Sequence, residues 1–234
     1  MSAKKSSFIH PKFGQIVIVR NARARRIILR ARPDAIYITL PIAAGKQEAD
    51  DALLKYGEKL QQQRANISRH IDFNYSIEAP LFKLSLSPVE DNRFFLRKQG
   101  KIHTLLCPSD TNFNDSNRQQ WLQKSIINCL KKCAAEYLPQ RLQELSAERG
   151  FKFNRASTRE CRTRWGSCSS SGNISLSIYL MLLPEELIDY VILHELCHTK
   201  EMNHSARFWQ LLDSVTNGEA KELRNRLKKY KTSI

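Results

Sequence analysis

The sequence predicts an α+β fold, with a β-rich N-terminal region of residues 1–114 and a mainly helical unit of residues 115–234. Short runs rich in isoleucine and valine, in which apolar residues partly alternate with charged ones, fill the first half and indicate strands. In the second half, apolar residues recur every three or four positions, as in amphipathic helices. With 234 residues, 41% of them apolar and 26% charged, the chain is long enough for a substantial core.

The N-terminal half is expected to form a small sheet with one helix. A helix is predicted from Lys46 to about His70, with Leu53, Leu54 and Leu60 on its apolar side. Strands are predicted at residues 15–20, 25–32, 35–40, 81–86, 93–96 and 102–107.

The C-terminal half is expected to begin with a long helix, capped by Asp115 or Ser116 and stopped by Gly150. Pro139 lies within it and should kink the helix or split it in two. Strands are predicted at residues 156–164 and 174–180, separated by a turn at WGSCSSSGN. Pro184 should open the next helix, because its missing N–H costs nothing there. Two more helices are expected at residues 205–215 and 218–230.

The chain carries a formal net charge of +15, which predicts attraction to polyanions. Residues 1–40 contain nine lysines and arginines against a single acid, Asp34. One hypothesis is non-specific nucleic-acid contact through these basic N-terminal strands, including Arg23, Arg25 and Arg26. The alternative is a solvated basic surface without a partner. No motif for reading bases supports sequence-specific binding.

No apolar run approaches the ~20 residues that a membrane span needs. The N-terminal lysines are not followed by an apolar core of the kind that a signal peptide has. We therefore expect a cytoplasmic protein without a membrane partner, in which the six cysteines are thiols.

The run HELCH at residues 194–198 is the strongest chemical signal in the chain. On a helix each residue advances by roughly 100°, so His194 and His198 share one face and Glu195 lies beside them. Two imidazoles at this spacing can reach one zinc ion at ~2.0–2.1 Å. Glu195 would then stand close enough to take a proton from a water on that ion. The alternative is a set of histidines that merely pack on a core helix.

A third ligand would complete one zinc site per chain, and the candidates are His204 and Glu201. Glu201 would follow His198 on a continuing helix, but three ligands along one straight helix do not form three corners of a tetrahedron. His204 is favoured because a turn would let it approach from another direction. Asn203 tolerates the left-handed conformation that such a turn often needs, and Ser205 can cap the following helix.

The stretch TRWGSCSSSGNISLSIYLMLLPEELIDYVILHELCHTKEMNHSARFW, residues 163–209, resembles the signature of the YgjP-like metallopeptidase family. That family is similar to the SprT-type proteases and, more loosely, to other zincins. RNARARRIILRARP followed by AIYITLP resembles its N-terminal region, whereas residues 46–115 match only loosely. The chain departs from related patterns at two positions. Ser177 stands where the family usually has asparagine. Glu201 stands where metzincins have glycine, and no Met-turn follows.

The resemblance implies a zincin-like C-terminal unit with an HExxH active-site helix. It implies His194, His198 and His204 as zinc ligands, Glu195 as the general base, and a peptide or protein substrate. It also implies that an edge strand, residues 174–180, binds extended peptide by main-chain pairing.

Arg164 and Gly166 have two interpretations. They belong to a tight turn packed on Trp165, or they line the cleft and stabilise an oxyanion. Two functional hypotheses compete with peptide hydrolysis. One is zinc-dependent hydrolysis of a non-peptide substrate such as a nucleotide phosphate, and the other is a nucleic-acid-associated protein.

Overall fold

A computed structural model describes residues 4–32, 35–67, 70–232 and 234. The chain forms two compact units, which divide between residues 69 and 70. This division comes earlier than the predicted one at residue 114, because the strands between residues 76 and 108 share a core with the C-terminal helices. The predicted domains 1–114 and 115–234, as independently folding regions, stay a prediction.

The first unit is a four-stranded sheet with one helix. Its elements are β1 (Lys4–His10), β2 (Gly14–Arg20), β3 (Ile28–Ala31), β4 (Ile36–Leu40) and α1 (Lys46–Ile67). The strand order is β1-β2-β4-β3, in which β2 and β4 are parallel. Ile16, Ile36 and Ile38 are buried in one cluster with Leu53 and Leu60 of α1.

The second unit contains two sheets and four α-helices. Its elements are β5 (Ser76–Glu78), β6 (Lys83–Val89), β7 (Phe95–Gln99), β8 (Ile102–Pro108), α2 (Ser116–Glu148), β9 (Arg155–Arg159), β10 (Gly166–Cys168), β11 (Asn173–Ser177), a 3-10 helix (Ile178–Leu182), α3 (Glu185–Cys197), α4 (Ala206–Val215) and α5 (Ala220–Leu227). The sheet orders are β5-β6-β8-β7 and β10-β11-β9. This architecture confirms the predicted α+β fold.

Helix α2 begins and ends where its capping residues predict. The side chain of Asp115 accepts a hydrogen bond from the backbone N–H of Asn117 at 2.9 Å. Gly150 follows the helix with a positive φ of 65°, a conformation that glycine adopts without strain. Pro139 does not split the helix, because Leu138 and Leu142 on either side of it are fully buried in the core.

The three-stranded sheet lies against the helix that carries the HELCH run. In β11, Ile174 and Leu176 are buried in the core, so Ser175 and Ser177 project from the opposite face. β11 is parallel to β9 and antiparallel to β10, and α3 contacts both β10 and β11. The sheet therefore positions β10 directly beside the candidate site.

The structure corrects four predictions about this region and about α1. The expected strand at residues 174–180 ends at Ser177, whose hydroxyl caps the 3-10 helix by accepting from the N–H of Tyr179. It is a central strand, not an edge strand, since β9 and β10 flank it. The expected turn at WGSCSSSGN begins as strand β10. Leu54 is 71% exposed, because it lies about 100° around the helix from the buried Leu53.

Among the helices within the described residues, none has the length and hydrophobicity needed to cross a bilayer. All six cysteines are free thiols, and four of them, Cys107, Cys129, Cys133 and Cys197, are buried.

Candidate active site and metal centre

Helix α3 is held in place by its apolar residues. Pro184 precedes it, and Glu185 and Glu186 in its first turn complement the partial positive charge of a helix N-terminus. Leu187, Ile188 and Ile192 are at most 1% exposed. The helix ends at Cys197, with His198 as its C-cap. The HELCH run thus lies at the end of a buried and well-anchored helix.

Three histidines converge at this end of α3. One ring nitrogen from each of His194, His198 and His204 lies within 4.8 Å of the other two. Nε2 of His204 is 3.1 Å from Nε2 of His194. The structure therefore brings together all three residues that the sequence proposes as ligands. The side chain of Glu201, the alternative third ligand, is not part of the cluster.

A compact turn returns the chain from α3 to His204. The N–H of Glu201 donates to the carbonyl of Cys197 at 2.9 Å, which extends the helix by less than one turn. Ser205 then caps α4, as expected, by accepting from the N–H of Phe208 at 3.4 Å. The predicted left-handed conformation at Asn203 is wrong. Among the described non-glycine residues only Asn217 has a positive φ, because hydrogen-bonded turns and the Ser205 cap suffice to reverse the chain.

Phe208 forms the apolar floor of the histidine cluster and was missed in the sequence. Its ring stacks on His198 at 4.5 Å and contacts His194 at 4.9 Å and His204 at 4.7 Å, edge to face. The side chain is fully buried. The sequence could have indicated this role, because Phe208 lies four residues after His204, in the first turn of a helix capped by Ser205.

Burial disfavours the charged forms of two of these histidines, His194 and His204. It lowers the pKa of His194 to about 3, with the neighbouring His198 and His204 contributing, and it also lowers the pKa of His204. Nδ1 of His198 donates to the backbone carbonyl of Glu201 at 3.1 Å, because a carbonyl can only accept. That bond leaves Nε2 of His198 with its lone pair free, which is the arrangement typical of a metal-ligating histidine.

Glu195 is buried beside the histidines, with 6% of its surface exposed. Burial raises its pKa to about 7, and the positive charge of Arg164 opposes that rise. On the sheet side, Glu195 lies against Gly166, where an added Cβ would meet its Oε1 at 2.6 Å. A carboxyl group with a pKa near neutrality can both accept and donate a proton at physiological pH.

The remaining candidate residues lie around Glu195. Gly166 starts strand β10 and is not in a turn, while Trp165 is partly buried against the core. Arg164 is exposed at the entrance to β10. Cys197, which lies between two of the histidines in the sequence, is buried in the core, and burial raises the pKa of its thiol to about 12.

The donor set fits a zinc ion. Ligand nitrogens of a tetrahedral site with Zn–N distances of ~2.0–2.1 Å lie about 3.4 Å apart, close to the 3.1 Å between His194 and His204. Three imidazoles also match the composition of catalytic zinc sites, which leave the fourth position to water.

One family model covers most of the chain, and two solved structures align with a smaller part of it. A family model described as YgjP-like, metallopeptidase domain, matches residues 25–230, which confirms the resemblance seen in the sequence. The crystal structure of the metallopeptidase zymogen of Pyrococcus abyssi abylysin shares 28% identity, covers 39% of this chain and 93% of its own, and has a TM-score of 0.36. The corresponding zymogen of Methanocaldococcus jannaschii jannalysin shares 23% identity over 39% of this chain and 94% of its own, with a TM-score of 0.34. A comparison with curated proteins finds no match.

Proposed function

The chain belongs to the YgjP-like metallopeptidase family, and we propose that it hydrolyses peptide bonds with one zinc ion held by His194, His198 and His204. Glu195 is the proposed general base. The observation that carries the proposal is the meeting of three imidazoles beside one buried carboxyl group. These are the parts that a zinc peptidase needs.

Held by the three histidines, a zinc ion would supply a Lewis acid that polarises the scissile carbonyl and lowers the pKa of a water molecule. Glu195 accepts the proton of the attacking water and later delivers it to the leaving nitrogen. Its burial, which brings its pKa to about 7, suits both transfers. Arg164, whose charge acts on Glu195, is proposed to stabilise the negative charge that develops on the carbonyl oxygen.

Strand β10 is the proposed binding edge for an extended peptide. Within the described residues it pairs with β11 on one side and with no strand on the other. It also touches α3, and its Gly166 contacts Glu195. A peptide added to this edge would pair by its main chain and pass close to the proposed catalytic carboxyl.

The proposal is tested by Glu195→Gln in the zinc-loaded full chain. The amide keeps the shape of the side chain but cannot accept a proton, so cleavage of a proteome-derived peptide library should fall ~10²-fold or more while zinc content is unchanged. Glu201→Gln is the matched control, since Glu201 meets His198 through its backbone carbonyl. Undiminished cleavage by zinc-replete Glu195→Gln would remove Glu195 from the mechanism.

Wild type and Glu195→Gln, both loaded with zinc, also test the alternative that the site hydrolyses a phosphate instead of a peptide. Nucleoside triphosphates and an aryl phosphate are offered in parallel with the peptides. Glu195-dependent turnover of a phosphate, with no peptide cleaved, would replace peptide hydrolysis by phosphate hydrolysis at the same site.

Nucleic-acid contact is a second candidate function. Arg23, Arg25 and Arg26 are exposed in the single loop between β2 and β3, where their charges would face a phosphate backbone together. Such binding would be independent of base sequence.

A further inference from the structure

Helix α5 places a guanidinium group beside the histidine cluster. The guanidinium of Arg224 lies over the ring of Trp209, 4.9 Å from its centroid. The ring of Trp209 in turn stacks on His204 at 6.0 Å, with an angle of 30° between the two planes. Trp209 also contacts Phe208, the floor of the cluster, edge to face at 5.4 Å. Trp209 therefore supports Arg224 next to the third proposed zinc ligand.

The charge of Arg224 reaches the cluster and has no acidic partner. Burial is the main cause of the low pKa of His194 and of His204, and after the neighbouring histidines the charge of Arg224 contributes to both. Arg224 is exposed, and in the described part of the chain its side chain forms no ion pair and donates no hydrogen bond. By contrast Arg226, also on α5, pairs with Glu186. The N–H groups of Arg224 can therefore bind an anion from solution.

Arg224 lies on the open side of the histidine cluster. Glu195 packs against β10, and the buried Phe208 closes the apolar side. His204 is the one exposed member of the cluster, so we expect a substrate to reach the metal past its ring. An extended peptide advances ~3.3 Å per residue, so groups one or two residues from the scissile bond would lie near Trp209. A carboxylate there would be within reach of Arg224.

We propose that Arg224, supported on Trp209, is a specificity-determining residue that binds a carboxylate of the substrate close to the scissile bond. The inference rests on the proposed peptide hydrolysis and narrows its substrate class. The carboxylate belongs to an aspartate or glutamate side chain or to the C-terminus of the peptide. A guanidinium binds such a group through two parallel hydrogen bonds. A cation without an acidic partner opposes the binding of zinc nearby, so its position is explained by an anion that both attract.

Paired peptides built around the cleavage sites of the library digest test the proposal. One set of pairs differs by glutamate or glutamine near the cleavage site, and the other by a free or amidated C-terminus. For wild type, kcat/KM should be about tenfold higher for the charged peptide in one set, which names the source of the carboxylate. Arg224→Gln should bring this ratio close to one. Arg226→Gln, which removes the same charge from the same helix, should keep it, because its partner Glu186 lies in the first turn of α3.

Zinc affinity separates a role in substrate binding from a structural role. Removing a positive charge near the ion should leave the zinc affinity of Arg224→Gln unchanged or raise it a few-fold, as measured by chelator competition. Weaker zinc binding in Arg224→Gln than in Arg226→Gln would show that Arg224 supports the metal site, and it would overturn the proposal. Cleavage with the same ratios in all three proteins would overturn it as well, without touching the proposed peptide hydrolysis.

A binding measurement separates failure of this carboxylate site from failure of the peptidase. The same peptide pairs, fluorescently labelled, are titrated into zinc-loaded Glu195→Gln, in which turnover is not required. Tighter binding of the charged peptide that disappears when Arg224→Gln is added supports the site even if wild type cleaves no peptide. Equal binding of the two members of every pair, or a preference that survives Arg224→Gln, overturns it.

Discussion

A Cβ atom added to Gly166 would lie 2.6 Å from Oε1 of Glu195, so the carboxyl group of Glu195 rests on the backbone of β10. The added Cβ would also lie 2.7 Å from Cγ of the same side chain, so the whole end of the Glu195 side chain packs against Gly166. Real Cβ atoms do not approach heavy atoms this closely. Position 166 therefore has to lack a side chain if Glu195 is to keep its place.

Gly166→Ala should displace Glu195 and leave the three histidines in place. We expect kcat to fall at least tenfold while the zinc affinity stays close to that of wild type, because small misplacements of a catalytic group are costly. Ser167→Ala, at the next position but on the outer face of the sheet, is the matched control. Loss of zinc in Gly166→Ala in proportion to the loss of kcat would show that the glycine supports the metal site instead of Glu195.

The third ligand is tested by zinc titration. His204→Ala should weaken zinc binding to an extent comparable with His198→Ala, since each removes one of three nitrogens. Glu201→Gln should have little effect, because its bond to Nδ1 of His198 comes from the backbone carbonyl. Competition against a chromophoric chelator gives the affinities. A larger loss in Glu201→Gln than in His204→Ala would make the site one of two histidines and a carboxylate.

Phe208 should be required for both stability and metal affinity. Phe208→Ala removes a fully buried ring that contacts all three imidazoles, and we expect a loss of about 3–5 kcal/mol in the free energy of unfolding. Phe208→Leu retains apolar volume but loses the stacking, so zinc affinity should drop with a smaller loss of stability. Urea denaturation and chelator competition measure the two quantities.

Phe151→Leu is the control for this experiment, because Phe151 is buried in the same core but, among the described residues, forms no ring contact with a histidine. If Phe151→Leu lowers zinc affinity as much as Phe208→Leu, the effect belongs to core packing in general.

Periodicity and capping residues predicted the long elements well. The helix around Leu122–Leu145 is buried at the three- and four-residue spacing of an amphipathic helix, and Asp115 caps it. The helix around Leu187–Cys197 is buried on nearly every side, in keeping with its almost continuous apolar run. The HELCH spacing also predicted how His194 and His198 share a face. These features depend on local geometry, which a sequence records directly.

Other features depend on partners distant in the chain and had no local signal. Strand β10 is only three residues long, and it forms because β11 pairs with it. For the same reason the central position of β11 could not be deduced, since β9 and β10 reach it from either side. The contact between Gly166 and Glu195 joins residues 29 positions apart, and only the tertiary fold brings them together.

Cys161 should be the first thiol to react with iodoacetamide. A hydrogen bond with the hydroxyl of Thr163, at 3.5 Å, and backbone N–H groups lower the pKa of its thiol to about 7. Burial raises the pKa of the other five thiols, to about 11 for Cys107 and about 12 for Cys197. The thiolate is the nucleophile, so the rate of labelling at Cys161 should increase with pH and reach half its maximum near pH 7. At lower pH the thiol is protonated and labelling should be slower.

Mass spectrometry of tryptic peptides measures this labelling residue by residue. Thr163→Val removes the hydroxyl that stabilises the thiolate, so its midpoint should move to higher pH. Faster labelling of the half-buried Cys168 at neutral pH would contradict the assignment.

Nucleic-acid binding, if the basic loop supports it, should depend steeply on salt. Each phosphate neutralised releases counterions, so the logarithm of the binding constant falls linearly with the logarithm of the salt concentration, with a slope of about −0.9 per contact. Replacing Arg23, Arg25 and Arg26 with glutamine should reduce the magnitude of this slope on duplex DNA by about 2–3 and weaken binding equally for unrelated sequences. The control is a second triple variant, in which the exposed Lys228, Lys229 and Lys231 are replaced with glutamine. It removes the same net charge from the other end of the chain. Equal effects of the two triple substitutions would indicate a response to net charge alone, and no binding at low salt would reject the hypothesis.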